Sequence, residues 1–205
     1  MLKYLFLLIF SLTCVAQDEW FFKDMLAGEI KKIEKKESKG HFKGRSKAYH
    51  IDISGDGRRE YMYFKLVDGK IYLVLKNAQK ETIYNFKFPI NGHSARVYKV
   101  LKKKISKDRV ITLFFFYDGH SSYLGKKGTA SLYGGVVDKG SFEHFELKKL
   151  ASIWLEEEFR ETYKRRLYEV GFKDIDMNGQ LEVIVNGGQT KRIIHYKGKG
   201  EWIGL

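Results

Sequence analysis

The sequence predicts a mainly β chain of antiparallel, blade-like sheets, propeller-related or open, with an N-terminal amphipathic helix and one further helix. Three observations point there. From Lys47 onward, short runs of β-branched and aromatic residues alternate with Gly, Asn and Asp, the pattern of strands and tight turns. Two acidic, glycine-containing segments of identical spacing each run directly into such a strand. With 205 residues, 43% hydrophobic and 15% aromatic, the chain can build a sizeable core, which excludes wholesale disorder.

Taken in order, Lys3 precedes an apolar run over residues 4–12, and Cys14 and Ala16 put small side chains at the −3 and −1 positions of a cut after Ala16. Residues 1–16 therefore read as a signal peptide. An apolar run of about 12 residues is shorter than the roughly 20 that a bilayer requires, so no transmembrane span is expected in the mature chain. Acylation at Cys14 is the alternative, but Ser11 and Thr13 depart from the lipoprotein pattern. A cut after Ala16 removes the only Cys, and with it any disulfide, thiolate nucleophile or Cys-ligated zinc site. The protein is expected to be periplasmic or secreted.

Residues 17–46 read as an N-terminal helix and a basic linker. Phe22, Met25, Leu26, Ile30 and Ile33 recur at helical spacing, and the Lys-rich stretch 31–47 follows. Residues 47–205 read as a single β-rich domain with blade-like units near 47–76 and 169–198. Strands are expected over 61–67, 70–75, 82–88, 110–117, 129–137, 142–147, 168–173, 181–185 and 192–196. The unbroken apolar run 110–117 predicts a central strand buried on both faces, while Asp68-Gly69 and residues 77–80 read as hairpin turns. Trp154, Leu155, Phe159 and Tyr163 recur at helical intervals, which predicts the second helix over 151–165.

The two acidic segments carry the chemistry. Residues 52–60 and 174–182 both read oxygen side chain at positions 1, 3 and 5, Gly at 6 and Glu at 9. The expected ligands are Asp52, Ser54, Asp56, the carbonyl of Arg58 and Glu60 in the first loop. In the second they are Asp174, Asp176, Asn178, the carbonyl of Gln180 and Glu182. A hard cation wanting six to eight oxygens suits such a set, and calcium tolerates its irregular geometry better than magnesium. Arg58, Arg59 and Ser54 make the first loop the weaker candidate. An EF-hand is excluded, because its bidentate Glu at position 12 is replaced by Tyr63 and Val185, and strands rather than helices follow.

This spacing, followed by a strand, resembles the calcium loops of FG-GAP and VCBS repeats, the blade units of integrin-alpha-like propellers. The resemblance covers both loops and their flanking strands. At a fixed offset of 122, residues 61–63 fall on 183–185 and residues 70–72 on 192–194. The Phe-Gly and Gly-Ala-Pro signature of that family is missing. The resemblance implies structural calcium and an interaction scaffold of the cell envelope.

No catalytic residue is assigned. Gly92-His93-Ser94 and Gly119-His120-Ser121 lack the second Gly of a nucleophile elbow, and no His pair has zinc-protease spacing. Tyr117, Asp118, His120, Ser121 and Tyr123 form a possible ligand-contacting segment, and the competing reading is an envelope hydrolase centred on Asp118, His120 and Ser121. The net charge of +13, with Lys clusters including 102–104, suits an anionic envelope polymer or an envelope protein as partner. No nucleic-acid motif accompanies it, so no nucleic-acid partner is expected.

Overall fold

A computed structural model describes residues 48–92, 94–122, 125–159, 162–187 and 189–204. These lie within one compact unit, Arg45–Leu205. The expected signal peptide, the N-terminal helix and linker, His93 and Tyr123 lie outside the described residues. The described chain is mainly β and consists of three antiparallel meanders, none closed into a barrel. Among the described residues no helix is long and apolar enough to cross a membrane.

The first meander joins β1 (Ala48–Ile51), β2 (Glu60–Val67), β3 (Lys70–Lys76) and β4 (Thr82–Lys87) in sequence order. Asp68 and Gly69 both take positive φ, 49° and 70°, as a two-residue hairpin turn matched to strand twist requires. The amide of Lys80 closes on the carbonyl of Asn77 at 2.9 Å to form the next turn. Met62, Leu73 and Leu75 share one face through the register Met62↔Leu75 and Phe64↔Leu73, and all three are fully buried.

The middle meander is larger: β5 (Ser94–Lys104), β6 (Arg109–Ser122), β7 (Gly125–Asp138), β8 (Lys148–Phe159) and β9 (Thr162–Leu167). Residues 110–116 of β6 are buried without interruption between β5 and β7, so the run without alternation is the doubly buried central strand its sequence predicts. Its even-numbered residues Phe114 and Phe116 join the first sheet's core around Phe88, which stacks on Phe116 at 4.7 Å and 7°. The odd-numbered residues Ile111 and Leu113 point to the opposite face and are also fully buried.

The last meander is β10 (Glu169–Lys173), β11 (Glu182–Gly187), β12 (Thr190–Gly198) and β13 (Glu201–Gly204). It approaches the middle sheet through β11 against β8, and Leu181 donates its amide to the carbonyl of Ile105 at 2.8 Å.

Three expectations are corrected. Residues 151–159 and 162–165 form strands, not a helix. Of the residues that suggested a helical stripe only Trp154 is buried, while Leu155, Phe159 and Tyr163 are exposed on the β8–β9 hairpin; bulges at Ile153 and Leu150, where β8 has an extra residue against β7, further interrupt its alternation. The pairs Glu156↔Arg165 and Glu157↔Lys164 then bring opposite charges face to face. Residues 142–147 form no strand. They make a turn closed by Phe145 amide to Phe142 carbonyl at 3.0 Å, which drops Phe145 and Leu147 into the core. Finally, the offset of 122 holds only as far as β2 and β11. Leu75 pairs with Met62 and Ile193 with Ile184, so the offset falls to 118 across the following hairpin, which is longer by two pairs in the first unit.

Candidate metal site

Each acidic loop joins the first two strands of a four-stranded meander. Loop one leaves β1 and enters β2, closed by the pair Ile51↔Glu60; loop two leaves β10 and enters β11, closed by Lys173↔Glu182. Their backbones superimpose in kind. Gly55 and Gly57 take φ of 78° and 87°, and the corresponding Met177 and Gly179 take 57° and 81°. Left-handed conformation is easy for Gly and strained for Met177, which is 90% exposed and gains nothing from burial.

Three hydrogen bonds recur at equivalent positions. The amides of Ile53 and Ile175 donate to Glu60 Oε2 and Glu182 Oε2. The amides of Asp56 and Asn178 donate to Ser54 Oγ at 3.4 Å and Asp176 Oδ1 at 3.3 Å. The amides of Arg58 and Gln180 donate to Asp56 Oδ1 at 2.8 Å and Asn178 Oδ1 at 2.7 Å. Positions 3, 5 and 9 are thereby fixed by amides of their own loop in both copies.

Their charges are balanced differently. In loop one Ser54 donates its hydroxyl to Glu60 Oε1 at 2.9 Å, so both oxygens of that buried carboxylate are satisfied. Lys102 of β5 donates its ammonium to the Asp52 carbonyl and lies 3.3 Å from Asp52 Oδ2. Together with Arg58 and Arg59, Lys102 matches the three loop carboxylates in number. The amide of Arg58 and the hydroxyl of Ser54 hold the Asp56 carboxyl below the usual carboxylate range.

Among the described residues loop two has no lysine or arginine paired with its acids. Asp176 replaces Ser54, and an ionised carboxylate cannot donate to Glu182. Glu182 is 1% exposed and its Oε1 accepts no hydrogen bond, although a buried carboxylate oxygen without a partner is costly. Residues 174–182 contain three acids and no basic residue. The nearby Arg109 is spent elsewhere: it pairs with Asp138 at 3.2 Å, donates to Gln180 Oε1 and stacks over Tyr196.

Of the expected ligands, the structure gathers carboxylate oxygens of Asp52, Asp56 and Glu60 in one group and those of Asp176 and Glu182 in another, each within 4.8 Å. Asp174 instead accepts from the amides of Asn178 at 3.1 Å and Gly179 at 2.9 Å, which braces the loop. The second group includes a residue that sequence reading missed. His195 Nδ1 lies 3.5 Å from Glu182 Oε1, because extending the ladder Val183↔Ile194 by one pair sets His195 opposite Glu182. Asp176, Asn178 and His195 line a cleft of about 440 Å³ together with Arg109, Tyr196 and Lys197.

The other expected group separates. Residues 117–122 are the distal part of strand β6 rather than a loop. Asp118 and His120 therefore point to one face and Tyr117 and Ser121 to the other, so no Asp–His–Ser relay forms. Asp118 accepts from the amides of Asn91 at 2.7 Å and Gly92 at 3.0 Å, which pins the start of β5. Tyr117 donates to Glu156 Oε1 at 2.9 Å, and its hydroxyl is pushed up to about 12, first by burial and then by that carboxylate. Room for its ring comes from the facing pair Gly119↔Gly128, where a Cβ at either position would sit 2.6 Å from the Tyr117 hydroxyl.

In comparisons with known proteins, no family model matched the chain, and neither the curated proteins nor the solved structures gave a significant match.

Proposed function

We propose that the chain is a non-enzymatic binding scaffold of the cell envelope, periplasmic or secreted after removal of residues 1–16, whose second acidic loop is stabilised by calcium. The ligands are the oxygens of Asp176, Asn178 and Glu182 with the carbonyl of Gln180, while Asp174, whose oxygens accept from the Asn178 and Gly179 amides, braces that set. The observation that carries the reading is Glu182: a fully buried carboxylate with one oxygen unsatisfied, facing a second carboxylate, is a defect unless a cation completes it. The FG-GAP/VCBS-like spacing and the matching backbone of the first loop support it. So does the position of each loop at the head of a meander. Loop one carries its own cation in Lys102 and serves as an internally balanced copy.

The test is thermal unfolding of the full chain in calcium, magnesium and chelator, for the wild type and Glu182→Gln. Calcium at about a hundred times its Kd adds roughly 2.7 kcal/mol, an easily measured shift. Glu182→Gln is expected to abolish that shift and, in chelator, to match or exceed the wild type because the unpaired charge is gone. A wild-type Tm indifferent to calcium overturns the reading.

A further inference from the structure

We propose that the second loop takes a borderline transition-metal ion of the zinc class more tightly than calcium, because His195 supplies a nitrogen ligand. This rests on the reading of the loop as a cation site and sharpens which cation it selects. Calcium is bound by oxygen donors, whereas imidazole favours zinc and its neighbours in the transition series. The three donors that the fold brings together are one carboxylate oxygen each from Asp176 and Glu182 and a nitrogen of His195, within 4.8 Å of one another.

The spacing fits a shared ion better than a direct contact. Glu182 Oε1 and His195 Nδ1 are 3.5 Å apart without a hydrogen bond between them. Two donors about 2.1 Å from one tetrahedral ion stand roughly 3.4 Å apart. Both carboxylates are also held from behind. Glu182 Oε2 accepts from the Ile175 amide at 2.8 Å, and Asp176 accepts from Asn178 through its amide at 3.3 Å and its side-chain Nδ2 at 2.8 Å. Such outer hydrogen bonds orient first ligands: Glu182 is left with Oε1 for the ion, and Asp176, both of whose oxygens accept from Asn178, offers a remaining lone pair. Exposed Asp176 and half-buried His195 line the cleft, which gives the ion an entry path and leaves a fourth position to water or an exogenous ligand.

Loop one lacks this option. The residue in register with His195 there is Asn77, opposite Glu60, and its side chain is turned into the next turn, where it bonds Glu81 at 2.8 Å.

The experiment is a competition on the full chain, stripped with chelator and carrying Cys14→Ser so that no thiolate binds zinc. Zinc and calcium are titrated separately against Tm, and cobalt is used as a visible-absorption probe of nitrogen ligation. The parent is expected to bind zinc more tightly than calcium. His195→Gln is expected to weaken zinc by about tenfold or more, change the cobalt spectrum and leave calcium binding within about twofold. Asp176→Asn is expected to weaken both ions. Calcium binding with zinc no tighter, or zinc binding indifferent to His195→Gln, overturns the inference and leaves the calcium reading standing. Zinc binding lost in His195→Gln with no calcium response overturns the calcium reading alone, and silence with both ions overturns both.

Discussion

Ser54 and Lys102 in the first loop have as counterparts Asp176 and, in place of an ammonium, the imidazole of His195 3.5 Å from Glu182 in the second. The backbones are otherwise alike, with left-handed residues at the same two positions and the same three amide hydrogen bonds onto positions 3, 5 and 9. Loop geometry therefore does not decide whether an acidic turn needs an ion. The decision rests on two side chains: whether position 3 can donate to the buried Glu, and whether a neighbouring sheet sends a cation. In loop one a hydroxyl and an ammonium do this work, so the turn is complete with protein atoms alone. In loop two position 3 adds another negative charge, and the nearest guanidinium is held by Asp138 and Gln180.

The largest effect expected from this comparison concerns the shared left-handed position. Gly55→Ala forces an L side chain to φ of 78° and places its methyl 2.7 Å from Val110 Cγ2, so a loss of about 2–4 kcal/mol is expected in chemical denaturation. Met177→Gly at the equivalent site is expected to act oppositely. It releases the strain of φ 57° on a solvent-facing residue, offset in part by the greater freedom of Gly in the unfolded chain, for a gain of about 0.5 kcal/mol. Equal responses at the two sites would mean that the loops do not share a backbone.

A smaller effect tests the internal cation. Lys102→Met removes the ammonium from Asp52 while keeping the aliphatic stem, and a loss of about 1–2 kcal/mol is expected in chelator, since the pair is a third exposed and screened. The comparison is sharpened by adding calcium. Without Lys102 the first loop holds Asp52, Asp56 and Glu60 uncompensated by the middle sheet, so part of the loss is expected to return with calcium and not with magnesium. Recovery absent at saturating calcium would show that loop one cannot hold an ion even when its lysine is gone.

Both loops and most strands were legible because their signals are local. Alternation, Asp-Gly turns and the apolar run at 110–117 each lie within a few residues of the structure they specify. Where the signal crosses between strands, sequence reading failed. The hairpin of β8 and β9 leaves Leu155, Phe159 and Tyr163 exposed, and their spacing resembled a helix at 151–165 because only the pairing partners across the strands show it to be a sheet. A bulge between Val97 and Lys99 likewise hid β5, whose lysines read as a basic surface although Lys102 is committed to Asp52. His195 escaped for the same reason. It lies on β12, past the hairpin where the offset between the units changes from 122 to 118, so aligning the acidic motifs alone never reaches it.

The smallest expected effect separates the loops at position 5, where Asp56 faces its counterpart Asn178. The Arg58 amide and the Ser54 hydroxyl favour the ionised form of Asp56 in the folded chain, so its folded pKa lies below the ordinary value of 3.8. The folded state then binds fewer protons than the unfolded state between those two values. The contribution is fully present above the ordinary carboxylate range and is lost as pH falls through the folded pKa. Because Asp56 is exposed, the slope is shallow. Asn178 does not titrate, so loop two has no such step at this position. In Tm measured from pH 5 downward, Asp56→Asn is expected to flatten the acid limb slightly, and Asn178→Asp to steepen it through the Gln180 amide that already donates to that side chain. If Asn178→Asp leaves the acid limb unchanged while Asp56→Asn flattens it, the Asp56 shift comes from Arg58 and Ser54 specifically rather than from the shape that the two loops share.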